Sequence, residues 1–168
     1  DYAFQYTAAA YTDVTTAVAN DTEEDLTLSS VFTTPASDRL YVGASWEFQG
    51  LHAKLLDELN AAASVLTVKY WAPAGWTALA DVVDATAVAG ATLAKTGRVT
   101  WTVPETWERR VLAGTGDEYY WVELSVSAAL TTSTKASQVL PIRSPDGLRR
   151  IAGYLACHHV LNGLAAGA

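Results

Sequence analysis

The stretch Val65-Leu-Thr-Val-Lys-Tyr-Trp-Ala-Pro-Ala-Gly-Trp76 decides the fold. Alternate residues from Leu66 to Tyr70 are apolar, which is the period of two that a half-buried strand requires. Pro73 then interrupts any ladder because it has no N–H to donate, and Gly75 accepts backbone angles that other residues resist. The stretch therefore predicts a β-hairpin whose return strand begins at Trp76, with an aromatic residue at each end of the turn.

Similar alternation recurs along the chain and predicts further short strands, at 39–46, 50–56, 97–103, 119–126 and 137–142. Residues 80–96 are small and polar, and they predict a long loop with at most one short strand near Leu93. About seven to ten strands with turn signals between them, and no helix among them, predict a mainly β fold. We expect an antiparallel two-sheet β-sandwich, jelly-roll-like, over residues 1–143.

The faces of the strands predict which aromatic side chains enter the core. Four are expected to supply much of it, namely Trp46, Tyr70, Trp101 and Tyr120. In the long strand, Tyr120 starts the inner face, whereas Tyr119, Trp121 and Glu123 are expected to point outward.

The first residues of the chain also alternate, since Tyr2, Phe4 and Tyr6 share one parity. A second β-prone run follows around 14–18, but no hairpin partner is evident close behind the first run. We therefore interpret the two runs as edge strands, or as an arm that packs on a neighbouring subunit and adds to its sheet edge.

The pattern changes after Arg143 and predicts a C-terminal helical segment over 144–168. Ser144 suits a helix cap, Pro145 the first turn, and Asp146 the positive end of the helix dipole. Apolar residues then surround the helix, including Leu148, Ile151, Tyr154, Leu155, Leu161 and Leu164. One small sandwich covers only one side, so neighbouring subunits or further helix are expected to cover the rest. The segment ends without a stop signal, which indicates truncation or a disordered tail.

Composition narrows the function classes. The 168 residues carry 11 Lys and Arg against 18 Asp and Glu, a net charge of −7 that argues against nucleic-acid binding, sequence-specific or general. Only 17% of the residues are charged, so partners are expected to cover part of the surface. No signal peptide and no run long enough to span a membrane occurs, although the chain starts at Asp1, which is consistent with a missing initiator or short leader.

Few residues are placed where they could act in catalysis or bind a ligand, and we predict no catalytic residue, cofactor or metal. His158 and His159 are about 100° apart on a helix, so they cannot readily share one metal ion. The single Cys157 has apolar neighbours and reads as a small core residue. The acidic run at 21–25 lacks the spacing of a calcium loop, and a solvated turn is favoured.

Several segments resemble a β-sandwich pattern found in structural proteins of tailed bacteriophages, namely 38–43, Tyr70-Trp71 with Trp76, 97–104 with Trp107, and 120–126. The resemblance covers about residues 38–130. The run at 154–159 is similar to the helical end of phage neck and head–tail connector proteins. The resemblance implies a non-enzymatic virion protein used in many copies as a ring. Its implied partners are itself and portal, adaptor or tail proteins, and it is implied to assemble in the host cytoplasm.

Two alternatives belong to other classes. A carbohydrate-binding module, of tail, baseplate or cell-surface type, would stack sugars on exposed rings, for which Trp71, Trp76 and Trp107 are the candidates. The competing interpretation, which we favour, is that these rings cap the ends of the sandwich core. An enzyme such as a glycosidase on the same scaffold ranks last, because no carboxylate pair is placed by the sequence across a cleft.

Overall fold

The structure, a computed structural model, describes residues 1–19, 21 and 25–143. This part of the chain holds thirteen strands and two short helices. In chain order they are β1 (Tyr2–Thr7), β2 (Ala10–Asp13), α1 (Thr15–Ala19), β3 (Leu26–Thr27), α2 (Leu28–Val31), β4 (Arg39–Ala44), β5 (Phe48–Lys54), β6 (Leu66–Ala72), β7 (Gly75–Ala78), β8 (Val83–Asp84), β9 (Gly97–Thr100), β10 (Arg109–Arg110), β11 (Tyr119–Val126), β12 (Lys135–Ala136) and β13 (Gln138–Arg143).

The strands form an antiparallel β-sandwich, which confirms the predicted fold class. The large sheet has the order β2-β1-β4-β11-β6-β7, and β10 pairs with the start of β11. The small sheet has the order β13-β5-β9-β8, and β12 pairs with β3 in a separate two-stranded ribbon. The described residues contain more strands than the patterns predicted, because several have only two residues.

The predicted hairpin is present as β6 and β7. Trp71 lies directly opposite Trp76, and Ala72 lies opposite Gly75. Gly75 has a φ of 109°, in the left-handed region that glycine accepts at little cost. Leu66 and Val68 are buried between the sheets, as the alternation predicted.

The core lies between the two sheets and is aliphatic at its centre. Its fully buried members include Leu40, Leu51, Val68, Val99 and Val122. Trp101 is buried among them, as predicted, and its Nε1 donates a hydrogen bond to the carbonyl of Phe48 at 3.1 Å. The other three rings assigned to the core are half-buried and pack against its border, namely Trp46, Tyr70 and Tyr120.

The N-terminal residues do not form a free arm, so that interpretation is wrong. β1 pairs with β2 on one side and with β4 on the other, so it is not an edge strand either and lies one strand in from the edge formed by β2. The β-prone run that follows is the helix α1 instead of a strand. Its first residue is tied locally, because Asp13 accepts a hydrogen bond from the amide of Thr15, and the Thr15 hydroxyl accepts one from the amide of Ala3. Val18 of α1 is then buried in the core, so tertiary packing outweighs β propensity here.

The loop after the hairpin also differs from the prediction. Its short strand is β8, at Val83–Asp84, and not near Leu93. Leu93 is buried with a φ of 56°, outside the β region that a regular strand requires. The carboxylate of Asp84 holds the loop, since it accepts hydrogen bonds from the hydroxyls of Thr86 and Thr92, both at 2.5 Å.

The two ends of the sandwich differ. Tyr2 of β1 lies opposite Gly43, Arg143 of β13 lies opposite Phe48, and the short connection 45–47 joins these regions. Both ends of the described chain therefore lie at one end, which we call the exit end. The loops 55–65, 85–96 and 127–134 lie at the opposite end, which we call the loop end.

The predicted C-terminal helix lies outside the described residues. The interface candidates that belong to it lie outside them as well, namely Leu148, Ile151, Tyr154, Leu155, Leu161 and Leu164.

Candidate functional site

The outer face of the large sheet, turned away from the core, is rich in aromatic side chains. We call this surface the aromatic face. It comprises Tyr2, Phe4, Tyr6, Tyr11, Tyr41, Trp71, Trp76, Tyr119 and Trp121. Register explains the grouping, because residues opposite each other on paired strands share one face.

Trp121 lies at the centre of the aromatic face and is fully buried. Its ring packs over Gly43 on the neighbouring strand, where an added Cβ would come within 2.5 Å of the ring. Phe4 and Leu112 pack beside it, and its Nε1 donates to the carbonyl of Arg110 at 2.9 Å. The prediction that Trp121 points away from the core is correct, but the segment around Leu112 covers it from solvent.

Glu123 is a buried charge on the same face, only 5% exposed. Its carboxylate accepts a hydrogen bond from the hydroxyl of Tyr41 at 3.0 Å, and it pairs with Arg39 at 3.3 Å and Lys69 at 3.1 Å. Burial, and next the charge of Glu123, raise the pKa of Tyr41 well above its usual value. The phenol therefore remains a proton donor, and the cluster fixes the rings around it.

The rings form a continuous path across the sheet. Centroid distances are 4.8 Å for Tyr6 and Tyr11, 5.6 Å for Tyr11 and Tyr41, 5.3 Å for Tyr41 and Trp76, and 5.5 Å for Trp76 and Trp71. The interplanar angles in this path run from 44° to 76°. Tilted and edge-on pairs are the favourable arrangement for aromatic rings, and they give a corrugated surface instead of a flat one.

The three candidate sugar-stacking rings are not brought together. Trp71 and Trp76 lie side by side on the aromatic face, and the guanidinium of Arg110 covers Trp71 at 3.9 Å from its centroid. Trp107 is 6% exposed, packs against Phe48 in the core, and donates from Nε1 to the carbonyl of Trp121. The prediction that Trp107 is an exposed platform for sugars is therefore wrong, and its buried position agrees with the competing interpretation that it belongs to the core.

The three N-terminal interface candidates belong to the aromatic face. Tyr2 and Phe4 stack with an interplanar angle of 6°, and Tyr2 meets Tyr119 edge-on at 5.1 Å. Phe4 is buried, while Tyr2 and Tyr6 are half-buried. These side chains are thus held by their own subunit, on a surface that keeps part of each outer ring accessible.

Sequence patterns alone missed Tyr11, Tyr41, Arg110 and the buried state of Glu123. One signal was available: β4 and β11 carry aromatic residues on the face opposite their core residues, at Tyr41 and Trp121. A strand with large apolar side chains on both faces usually has one face in the core and the other covered by another part of the chain or by a partner.

The aromatic face extends to both edge strands of the large sheet, β2 and β7. β2 is exposed along its whole length. Among the strands of residues 1–19, 21 and 25–143, β2 pairs only with β1, and β7 pairs only with β6. The free backbone groups of such edges can pair with a strand of another chain.

Within residues 1–19, 21 and 25–143, no three His, Cys, Asp or Glu side chains lie close enough to hold a metal ion. Neither described helix has the length or apolar content needed to cross a membrane. Comparison with protein-family models, with curated proteins and with solved structures finds no match for this chain.

Proposed function

We propose that this protein is a non-enzymatic structural subunit of a tailed-bacteriophage virion, a multi-copy ring component of the neck or head–tail connector. Its partners would be further copies of itself and portal, adaptor or tail proteins. The β-sandwich fold and the resemblance over residues 38–130 are consistent with this role.

The aromatic face is the observation that carries the proposal. It combines Tyr, Trp and Arg, the residue types that dominate binding energy at protein interfaces. Its centre at Trp121 is fully packed, and its border at Tyr11, Trp71 and Trp76 is accessible. The buried Glu123 cluster restricts the rings, so little side-chain entropy is lost when a partner binds.

A glycan fits this surface less well than a protein does. A sugar ring needs an open aromatic face, but Arg110 already stacks on Trp71, and Trp76 presents itself edge-on to that ring at 76°. The tilted rings instead offer ridges and recesses that protein side chains can fill. The carbohydrate-binding module remains the second candidate function, and the accessible part of the Trp76 ring is then the surface on which a sugar would stack.

Light scattering and negative-stain microscopy of the full chain test the proposal. We expect discrete oligomers or rings, in the purified protein or after addition of the phage partner proteins. Tyr11→Ala and Trp76→Ala should each weaken the association, by about 30-fold for a residue worth roughly 2 kcal/mol.

Val83→Ala is the matched control, because Val83 is also exposed but belongs to the small sheet. A protein that stays monomeric at high concentration and is not recruited by any phage partner would overturn the proposal. Hits on a glycan array that disappear with Trp76→Ala would favour the binding module.

A further inference from the structure

Two neighbouring loops at the loop end of the sandwich carry exposed aliphatic side chains. Seven large apolar side chains are exposed in the described residues, and four of them belong to two neighbouring loops of this end. They are Leu56, Leu59, Val65 and Val88, exposed by 39% to 65%. We call them the aliphatic patch.

The two loops that carry the patch are fastened to each other. The amide of Ser64 donates to the carbonyl of Gly90 at 3.0 Å, and the amide of Thr92 donates to the carbonyl of Ser64 at 3.1 Å. The buried side chain of Asn60 donates to the carbonyl of Thr92 at 2.8 Å. Val65 follows Ser64 directly, and Val88 begins the turn that contains Gly90, so these hydrogen bonds hold the loops that carry Val65 and Val88 against each other.

The chain offers an apolar segment of matching character. No Asp, Glu, Lys or Arg occurs from Ile151 to Ala168, and Leu155, Leu161 and Leu164 lie in that stretch. This segment follows Arg143, which lies at the exit end, opposite Phe48. Phe48 begins β5, and Lys54 ends it at the loop end, just before the loop that carries Leu56. At the rise of a β-strand, Phe48 and Lys54 are about 20 Å apart, so the patch lies about that far from Arg143.

We propose that the aliphatic patch binds the C-terminal segment 144–168 of a second copy of this chain. The segment leaves at one end of the sandwich and its acceptor lies at the other, so each copy would hold the next in a head-to-tail contact. Contacts between two different patches generate rings or filaments. This inference rests on the proposed multi-copy function, and it replaces the N-terminal arm as the second half of the contact.

The route within one chain is less favourable. The direct route to its own patch lies along the outer face of the small sheet, because Arg143 ends β13 of that sheet. His52 and Arg98 lie opposite each other there, and Lys54 follows on the same face. Covering these polar groups with apolar side chains costs free energy, whereas a neighbouring copy presents its loop end without that obstacle.

Disulfide trapping tests the inference, because Cys157 is the only cysteine of the chain and lies in the C-terminal segment. A tagged chain with Val65→Cys and Cys157→Ser is co-expressed with the untagged wild-type chain and then oxidised. We expect a disulfide-linked heterodimer on a non-reducing gel. The matched control carries Val83→Cys with Cys157→Ser, since Val83 is 62% exposed but lies on the small sheet, and it should give little product.

The outcomes separate the possibilities. If the mixture gives no heterodimer, but a chain with both Val65→Cys and Cys157 forms an internal disulfide, the segment binds its own chain and the second-copy inference is overturned. If light scattering shows oligomers but neither cross-link forms, the patch is not the acceptor, although the proposed function survives. A protein that is monomeric throughout overturns both.

Discussion

Adding a single methyl group at Gly43 tests the packing of the aromatic face. The Cβ of Gly43→Ala would lie 2.5 to 2.7 Å from three ring carbons of Trp121. The ring cannot easily withdraw, because it is fully buried and its Nε1 is bonded to the carbonyl of Arg110. Either the ring or β4 must therefore move.

The expected loss of stability is moderate. Overpacking a well-packed site costs about 1–3 kcal/mol. Replacing glycine within a strand regains roughly 0.5–1 kcal/mol, because alanine loses less backbone entropy on folding. The net loss is then about 0–2.5 kcal/mol, which corresponds to a fall in Tm of up to roughly 10 °C for a domain of this size. Urea denaturation followed by circular dichroism would measure it.

Trp121→Leu supplies the control background. Leucine removes the ring carbons that the new methyl group meets, so Gly43→Ala should be neutral or slightly stabilising there, and the double-mutant cycle should assign the overpacking cost to this pair. If Gly43→Ala changes the stability by the same amount in both backgrounds, Trp121 does not pack over Gly43 as described.

Further predictions concern the core, the sheet and the buried phenol. Trp101→Ala should destabilise the domain by about 3–5 kcal/mol, because a buried ring and its hydrogen bond are lost, and an unchanged Tm would contradict this. Deleting residues 1–12 should lower the Tm and expose hydrophobic surface to a dye, since β1 is an interior strand, whereas a free arm would leave both unchanged. The raised pKa of Tyr41 means that the unfolded phenol ionises above pH ~10 while the folded one stays protonated, so stability should fall with rising pH in that range. Tyr41→Phe should flatten this slope in denaturation series at pH 9 to 11, and an equal slope would rule out the assignment.

The sequence predicted the strands whose alternation is strong and local. The hairpin at β6 and β7, the long strand β11 and the buried Trp101 all followed from a period of two and from turn residues. Such features need only residues that are near each other in the chain, so one sequence contains the required information.

The parts that could not be predicted depend on distant partners. The burial of Trp121 depends on Gly43 beneath its ring and on the segment near Leu112 that covers it, and the sequence of β11 indicates neither. α1 contains Thr and Val, which favour strands, yet the side chains of Asp13 and Thr15 fix its start. The candidate site follows the same rule, because the aromatic face depends on a strand order in which β1 lies beside β4 and β4 beside β11.

The location of both described ends at the exit end has a mechanical consequence. Tyr2 belongs to the large sheet and Arg143 to the small sheet, so opposing forces applied at these two residues would pull the sheets apart at that end. Backbone hydrogen bonds would then break one after another, as in peeling, instead of sharing the load as they do when strands slide past each other. Resistance to force is set by the rate of unfolding, which such sequential rupture raises. If the proposed assembly forms, contacts between neighbouring copies across the faces and loops of the sandwich would oppose this peeling.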